Sequence, residues 1–349
     1  MLPYALVDLH CDTLTALCPE DVPLLDSLRD PARRGKAKAV LAERVRLTNT
    51  LDCPGRHFSL SAIPEGVHWC QCCAIFIPDG LRGEDAIAYY DLHHRSFCRQ
   101  MEALSCKVLP CQTAADIERA WAEEKTAAVL TVENGSALAG RLERIETLAR
   151  DGVRMLTLTW NGENEIGSGN NTDHGLSEFG KQAVRELERQ GILVDASHLN
   201  DQGLDDLLSV AEKPFAASHS NARAVCGHRR NLTDGQIQEM VRQGCLIGLN
   251  FYSAFLRSDG CPATLDDLWR HAAHFLELGA ENCLALGSDA DGADLPPCLD
   301  SPGAFAGLYG YFLDRGLSPA LADRIFWKNA LSFLCERPMK PSPGGHSFS

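Results

Sequence analysis

His10 and Asp12 stand two residues apart at the end of the apolar run that opens the chain. On a β-strand, residues i and i+2 share a face, so both side chains can turn toward one object. Neutral imidazole and carboxylate are good ligands for zinc-like divalent ions. Residues of the same kinds close later apolar runs: Glu133, His198, His219, and the pair Asp289 and Asp291. Each alone has an ordinary use, as a core histidine or a turn former. Their common position, at the exits of five of the apolar runs, points to a shared site.

Three imidazoles with two or three carboxylates exceed the needs of one catalytic zinc, which takes three protein ligands. Two ions about 3.5 to 4 Å apart, sharing a bridging carboxylate and a bridging hydroxide, would use them all. Glu133 is the natural bridge. Its run lies between those carrying His10/Asp12 and His198/His219, and the turn at Asn134-Gly135 keeps the backbone near the site.

The elements that must position these residues are legible as an alternation. Strands are expected over 6–12, 69–77, 127–133, 155–159, 192–197, 215–218, 245–250 and 283–288. Helices are expected over 84–104, 113–125, 141–150, 176–190, 204–212, 233–243 and 264–278, with a further charged helical piece around 29–46. Thr113 with Asp116 and Thr233 with Gln236 have capping-box spacing. The strand runs are apolar without alternation, as parallel strands covered by helices require. Eight of them predict a (β/α)8 barrel of TIM type, with its active site at the C-terminal strand ends. A doubly wound open sheet is the alternative, but no Gly-x-Gly-x-x-Gly follows the first strand. The barrel is expected to be one domain over 1–335, with a flexible tail over 336–349 rich in Pro, Gly and Ser.

Composition excludes other classes. A net charge of −14, from 33 basic and 47 acidic residues, argues against nucleic-acid binding, which needs clustered Lys and Arg. No run approaches the length of a membrane span. The 15 cysteines are odd in number with no secretory leader ahead of them, so free thiols in a cytoplasmic protein are expected. Cys70, Cys72 and Cys73 lie inside the apolar run 69–77 and read as core packing rather than metal ligands.

Several motifs together resemble the membrane (renal) dipeptidase family of dinuclear zinc peptidases, family M19. They are Asp8-Leu9-His10-Cys11-Asp12, Thr131-Val132-Glu133-Asn134-Gly135, Leu156-Thr157-Leu158-Thr159, Val194-Asp195-Ala196-Ser197-His198, Ser218-His219-Ser220 with Arg229-Arg230-Asn231, Asn250-Phe251-Tyr252, and Gly287-Ser288-Asp289-Ala290-Asp291-Gly292. The resemblance implies two Zn2+ per chain. His10 and Asp12 would hold one ion, His198 and His219 the other, with Glu133 bridging. It further implies Asp289 as the acid/base carboxylate, Arg230 as the clamp for the substrate's C-terminal carboxylate, and Tyr252 beside the bound dipeptide. The implied reaction is hydrolysis of L-L and L-D dipeptides by a metal-bridging hydroxide. A guanidinium fork suits a carboxylate, and the leaving amine needs a proton shuttle.

One departure stands out. Animal members carry a histidine directly after the Leu-Thr-Leu-Thr strand, where this chain has Trp160-Asn161. Asn161, assigned to substrate binding, or His174 takes its place, or a zinc alone polarises the carbonyl. The animal enzymes are exported and lipid-anchored; this chain, without either signal, is expected to be a bacterial-type cytoplasmic member free of membrane and nucleic acid, with a homodimer open. Two competing readings remain at this stage. One is a dinuclear amidohydrolase acting on lactones, cyclic amides or N-acyl amino acids, though related barrels bridge their metals with a strand-four lysine that is missing here. The other is a noncatalytic descendant that binds metal or amino acids.

Overall fold

Apolar runs with no polar alternation need cover on both faces, and a closed sheet ringed by helices gives every one of them that cover. The computed structural model describes residues 1–16 and 50–335; the helix expected around 29–46 and the tail 336–349 lie outside them. Among the described residues the strands are β1 (Ala5–Cys11), β2 (His68–Phe76), β3 (Val108–Pro110), β4 (Thr126–Glu133), β5 (Met155–Thr157), β6 (Leu193–Asp195), β7 (Ala216–Ala217), β8 (Leu246–Leu249) and β9 (Leu284–Leu286). All pairings between them are parallel.

The ring runs β1-β2-β4-β5-β6-β7-β8-β9 and closes on β1 through Asp8 and Leu286. These eight staves are the expected eight, and the fold is a (β/α)8 barrel. β3 is an addition that the apolar pattern does not announce. It pairs with the first residues of β4, Thr126 to Ala128, on the stretch that β5 leaves free by pairing only with Thr131 to Glu133.

Along the barrel, Val7, Leu9, Cys70, Cys72, Val129, Met155, Leu193 and Ala285 form one buried cluster with Trp121 and Phe333. Cys70 and Cys72 are therefore core residues, as expected. The outer faces pack against the helices in a second, larger cluster. Capping boxes open three of those helices, at Thr113/Asp116, Thr233/Gln236 and Thr264/Asp267. Beyond the last stave the chain adds helices at Pro302–Asp314, Pro319–Asp323 and Asn329–Cys335, which the strand-helix alternation did not predict.

A bulge in β1 matters for the site. Asp8 pairs with Gln71 and Cys11 with Cys73, so three steps along β1 oppose two along β2. The extra residue rephases the strand. Asp8 bonds Gln71 and Ser288, while His10 and Asp12 turn toward Glu133. Among the described residues no helix is long and apolar enough to cross a membrane.

Candidate metal centre

The strand exits of one barrel end converge. His10 is the last residue but one of β1, Asp12 follows the strand, and Glu133 is the last residue of β4; His198, His219 and Asp289 lie two or three residues beyond β6, β7 and β9. Their ligand atoms fall into three overlapping groups, each within 4.8 Å: His10/Asp12/Glu133, Glu133/His198/His219 and His10/His219/Asp289. The two oxygens of Glu133 divide between the sides. Oε2 is 3.6 Å from His10 Nε2, whereas Oε1 is 2.8 Å from His198 Nε2 and 3.7 Å from His219 Nε2. The His10 and His219 rings stack with centroids 3.9 Å apart.

Hydrogen bonds fix which ring nitrogens face inward. Ser218 Oγ donates its one proton to Asp195 Oδ2 at 2.6 Å, so His219 Nδ1, 2.7 Å away, must donate to Ser218 Oγ. His219 Nε2 then carries a lone pair. It sits 2.9 Å from His198 Nε2, whose own Nδ1 is engaged by Asn161 Oδ1 at 3.0 Å. On the other side, His10 Nε2 and Asp12 Oδ1 are buried without a hydrogen-bond partner. Lone pairs crowded together, beside orphaned buried polar atoms, are the pattern that cations relieve. The donor set of imidazole and carboxylate suits a divalent ion.

The electrostatics agree. Burial, then repulsion from Asp12, pushes Glu133 up to about 8. Burial raises Asp289 as well, with Asp12 adding to it. For His10, burial opposes charge, yet the Glu133 and Asp12 carboxylates outweigh it and raise the imidazole well above its usual value. His198 and His219 are held well below theirs, first by burial and then by nearby positive groups, Arg230 and His10. Carboxyls pushed to keep their protons by burial and by one another mark a centre short of positive charge.

Backbone shape serves the same end. His198 and Asp289 adopt left-handed φ values of 73° and 62°, a conformation that costs a non-glycine residue free energy and marks functional sites. Asp289 Oδ2 accepts Asn250 Nδ2 at 3.0 Å, and its main-chain N–H donates to His10 O at 3.2 Å. Gly292 has no room for a side chain. A Cβ there would lie 1.9 Å from Asp12 Oδ2 and 2.5 Å from Asp289 Oδ1.

A model of the membrane dipeptidase family, peptidase family M19, matches residues 4–337. The chain belongs to this family. Solved structures share the architecture: the metallo peptidase from Rhodobacter sphaeroides, crystallised with a phosphinate mimic of the dipeptide L-Ala-D-Ala, superposes with a TM-score of 0.81 at 25% identity, covering 96% of this chain and 99% of that one. Dipeptidase AC, a metallo peptidase of family M19, gives 0.80 at 27% identity, covering 96% and 98%. An uncharacterized protein in the pqqA 5′ region of Klebsiella pneumoniae is 32% identical over 235 residues, 64% of this chain and 87% of its own length. Membrane dipeptidase family membership makes the chain a metallo-dipeptidase, and the cluster above is its candidate divalent-metal centre.

The remaining expected residues take distinct positions around this dipeptidase centre. Arg230 is buried; Nη1 reaches Ser220 Oγ at 3.2 Å, Nη2 reaches His219 O at 3.3 Å, and Nε has no hydrogen-bond partner. Its guanidinium lies 5.5 Å from the Phe255 ring centre, and burial pushes its pKa down to about 10. Tyr252 packs edge-on against Phe255 at 4.7 Å. Trp160 stands edge-on to Phe76 and 6.3 Å from His198. His174 is exposed and is held through its main chain, by Ser168 and Asn200.

Asp291, counted among the strand-exit carboxylates, belongs to none of the three groups. It accepts Thr13 Oγ1 at 2.5 Å and His57 N at 3.0 Å, fastening the segment before β2 to the site's edge. Five supporting residues went without a role in the sequence reading: Asp8, Asp195, Ser218, Asn250 and Ser288. Ser218-His219 and Ser288-Asp289 share a serine directly before the site residue, and that repeated pair was the available signal.

Proposed function

We propose that the chain is a zinc-dependent dipeptidase with two ions per chain, one held by His10, Asp12 and Glu133 and the other by Glu133, His198 and His219. The observation that carries this reading is the division of Glu133, with Oε2 toward His10 and Oε1 toward His198 and His219. Bound there, the ions would supply a nucleophile at neutral pH, as a bridging hydroxide, and a Lewis acid for the scissile carbonyl.

The chain's own residues do the rest. Arg230 reads the substrate's free C-terminal carboxylate with the donor capacity its two internal bonds leave over, which restricts the substrate to two residues. Asp289, steadied by Asn250, carries the proton to the leaving amine. Tyr252 flanks the bound dipeptide. The L-Ala-D-Ala mimic bound by the Rhodobacter relative supports tolerance of an L-D bond as well as L-L. The exposed free thiols Cys106, Cys261 and Cys298 support a reducing, cytoplasmic setting.

The test is a count of metal per chain together with hydrolysis of a panel of L-L and L-D dipeptides. About two ions at saturation and turnover on the panel are expected, with Asp289→Asn retaining the ions but losing turnover by about 10²- to 10⁴-fold. Fewer than two ions, or an Asn variant as fast as the parent, would sink the mechanism.

A further inference from the structure

We propose that Asn161 is a positioning residue for His198 and that, through it, the loop after β5 sets the grip on the ion held by Glu133, His198 and His219. The proposal rests on the two-ion reading above. It reassigns Asn161 from substrate contact to ring orientation.

The argument starts from the acceptor. Asn161 Oδ1 lies 3.0 Å from His198 Nδ1 and also accepts Asn170 Nδ2 at 2.8 Å. A carboxamide oxygen only accepts, so Nδ1 carries the proton and Nε2 the lone pair. That lone pair faces Glu133 Oε1 at 2.8 Å and His219 Nε2 at 2.9 Å. Both lone pairs of Oδ1 are used inside the protein, which turns this atom toward His198 rather than toward a ligand.

The loop that presents Asn161 is registered to the bridging carboxylate itself. Asn134, the residue after Glu133, donates through Nδ2 to Asp79 Oδ1 at 3.3 Å, and Asp79 Oδ2 accepts Gly162 N at 2.7 Å. Asn161 O accepts Asn171 N at 2.9 Å, closing the loop from its far side. His198 needs such a fixture. It stands three residues beyond the end of β6, at a left-handed φ of 73°. His219 takes its orientation from Ser218 on its own strand exit; His198 takes it from a separate loop.

The experiment uses the full chain stripped of metal by a chelator and titrated with Co2+, read by visible absorption and by metal content, beside the apo-protein's melting temperature. Asn161→Leu should weaken one of the two ions by about tenfold to a hundredfold, leave the other unchanged, and leave apo melting unchanged. Asn161→Asp keeps an acceptor and should retain both ions. In the Zn2+-loaded parent, NMR should show a His198 Nδ1 proton protected from exchange, lost in Asn161→Leu and kept in Asn161→Asp. Parent-like binding of both ions by Asn161→Leu, or Asn161→Asp as weak as Asn161→Leu, would overturn the proposal. If Asn161→Leu does not fold, the His198 proton decides: protection in the parent and in Asn161→Asp supports the proposal, and its absence overturns it. A parent that binds fewer than two ions overturns the two-ion reading and the proposal with it, a result distinct from a failure confined to the variants.

Discussion

The two halves of the metal centre are built on one device and finished differently. In each, a buried aspartate on one strand clamps a serine beyond the neighbouring strand. Asp8 of β1 accepts Ser288 N at 2.8 Å and Ser288 Oγ at 2.6 Å; Asp195 of β6 accepts Ser218 N and Ser218 Oγ at the same two distances. The residue after each serine enters the site, Asp289 in one case and His219 in the other. In the β6/β7 half the clamp continues into the ring, since Ser218 Oγ accepts from His219 Nδ1. In the β1/β9 half it ends at the backbone, and His10 Nε2 and Asp12 Oδ1 are left without partners. The β6/β7 half is thus ordered by the protein, whereas the β1/β9 half has its strands ordered and its proposed ligand atoms unpaired. Preorganised ligands bind more tightly, so the His198/His219 ion should be the harder of the two to strip with a chelator.

The variants that break this comparison differ in reach. Glu133→Gln removes the one group common to both halves. It should weaken both ions and cost activity on the order of a thousandfold or more, measured as kcat/KM and metal content. Ser218→Ala should weaken the His198/His219 ion by about tenfold to a hundredfold and spare the other, read by competition with a chelator. Its counterpart Ser288→Ala should leave that ion untouched. It should instead lower unfolding stability by about 1 to 3 kcal/mol, because the buried Asp8 loses its shortest hydrogen bond, as denaturant titration would show. If the two serine variants behave alike, the contrast between the halves is wrong. Gly292→Ala reaches only the β1/β9 half, where its methyl meets Asp12 and Asp289. A loss of about 1 to 3 kcal/mol of stability, as for other overpacked sites, with a weakened His10/Asp12 ion is expected.

The staves and the candidate ligands were legible in the sequence for a common reason. A barrel stave has no wet face, so its run is apolar throughout, and a polar residue that ends it stands out; His10, Glu133 and His219 are such endings. β3 was not legible because three residues, one of them Pro110, carry no period. The helices from Pro302 onward follow the last stave and so lay outside the alternation. The supporting residues were hidden by distance along the chain. Asp8 and Ser288 are 280 residues apart, Asp195 and Ser218 are 23 apart, and only the strand order makes them neighbours. Asn161 was read as a substrate contact because its place after Thr159 was visible while its bond to His198 was not.

The claim at the centre of this account is that Glu133 divides two ions between separable halves. Titration of the metal-free chain with Zn2+ or Co2+, carried out on the parent, Asp12→Asn and His219→Asn, tests it most directly. Two ions are predicted for the parent and one tightly held ion for each variant, with Asp12→Asn keeping the ion of His198 and His219. A parent that saturates at one ion, or an Asp12→Asn variant that loses both together, would contradict it.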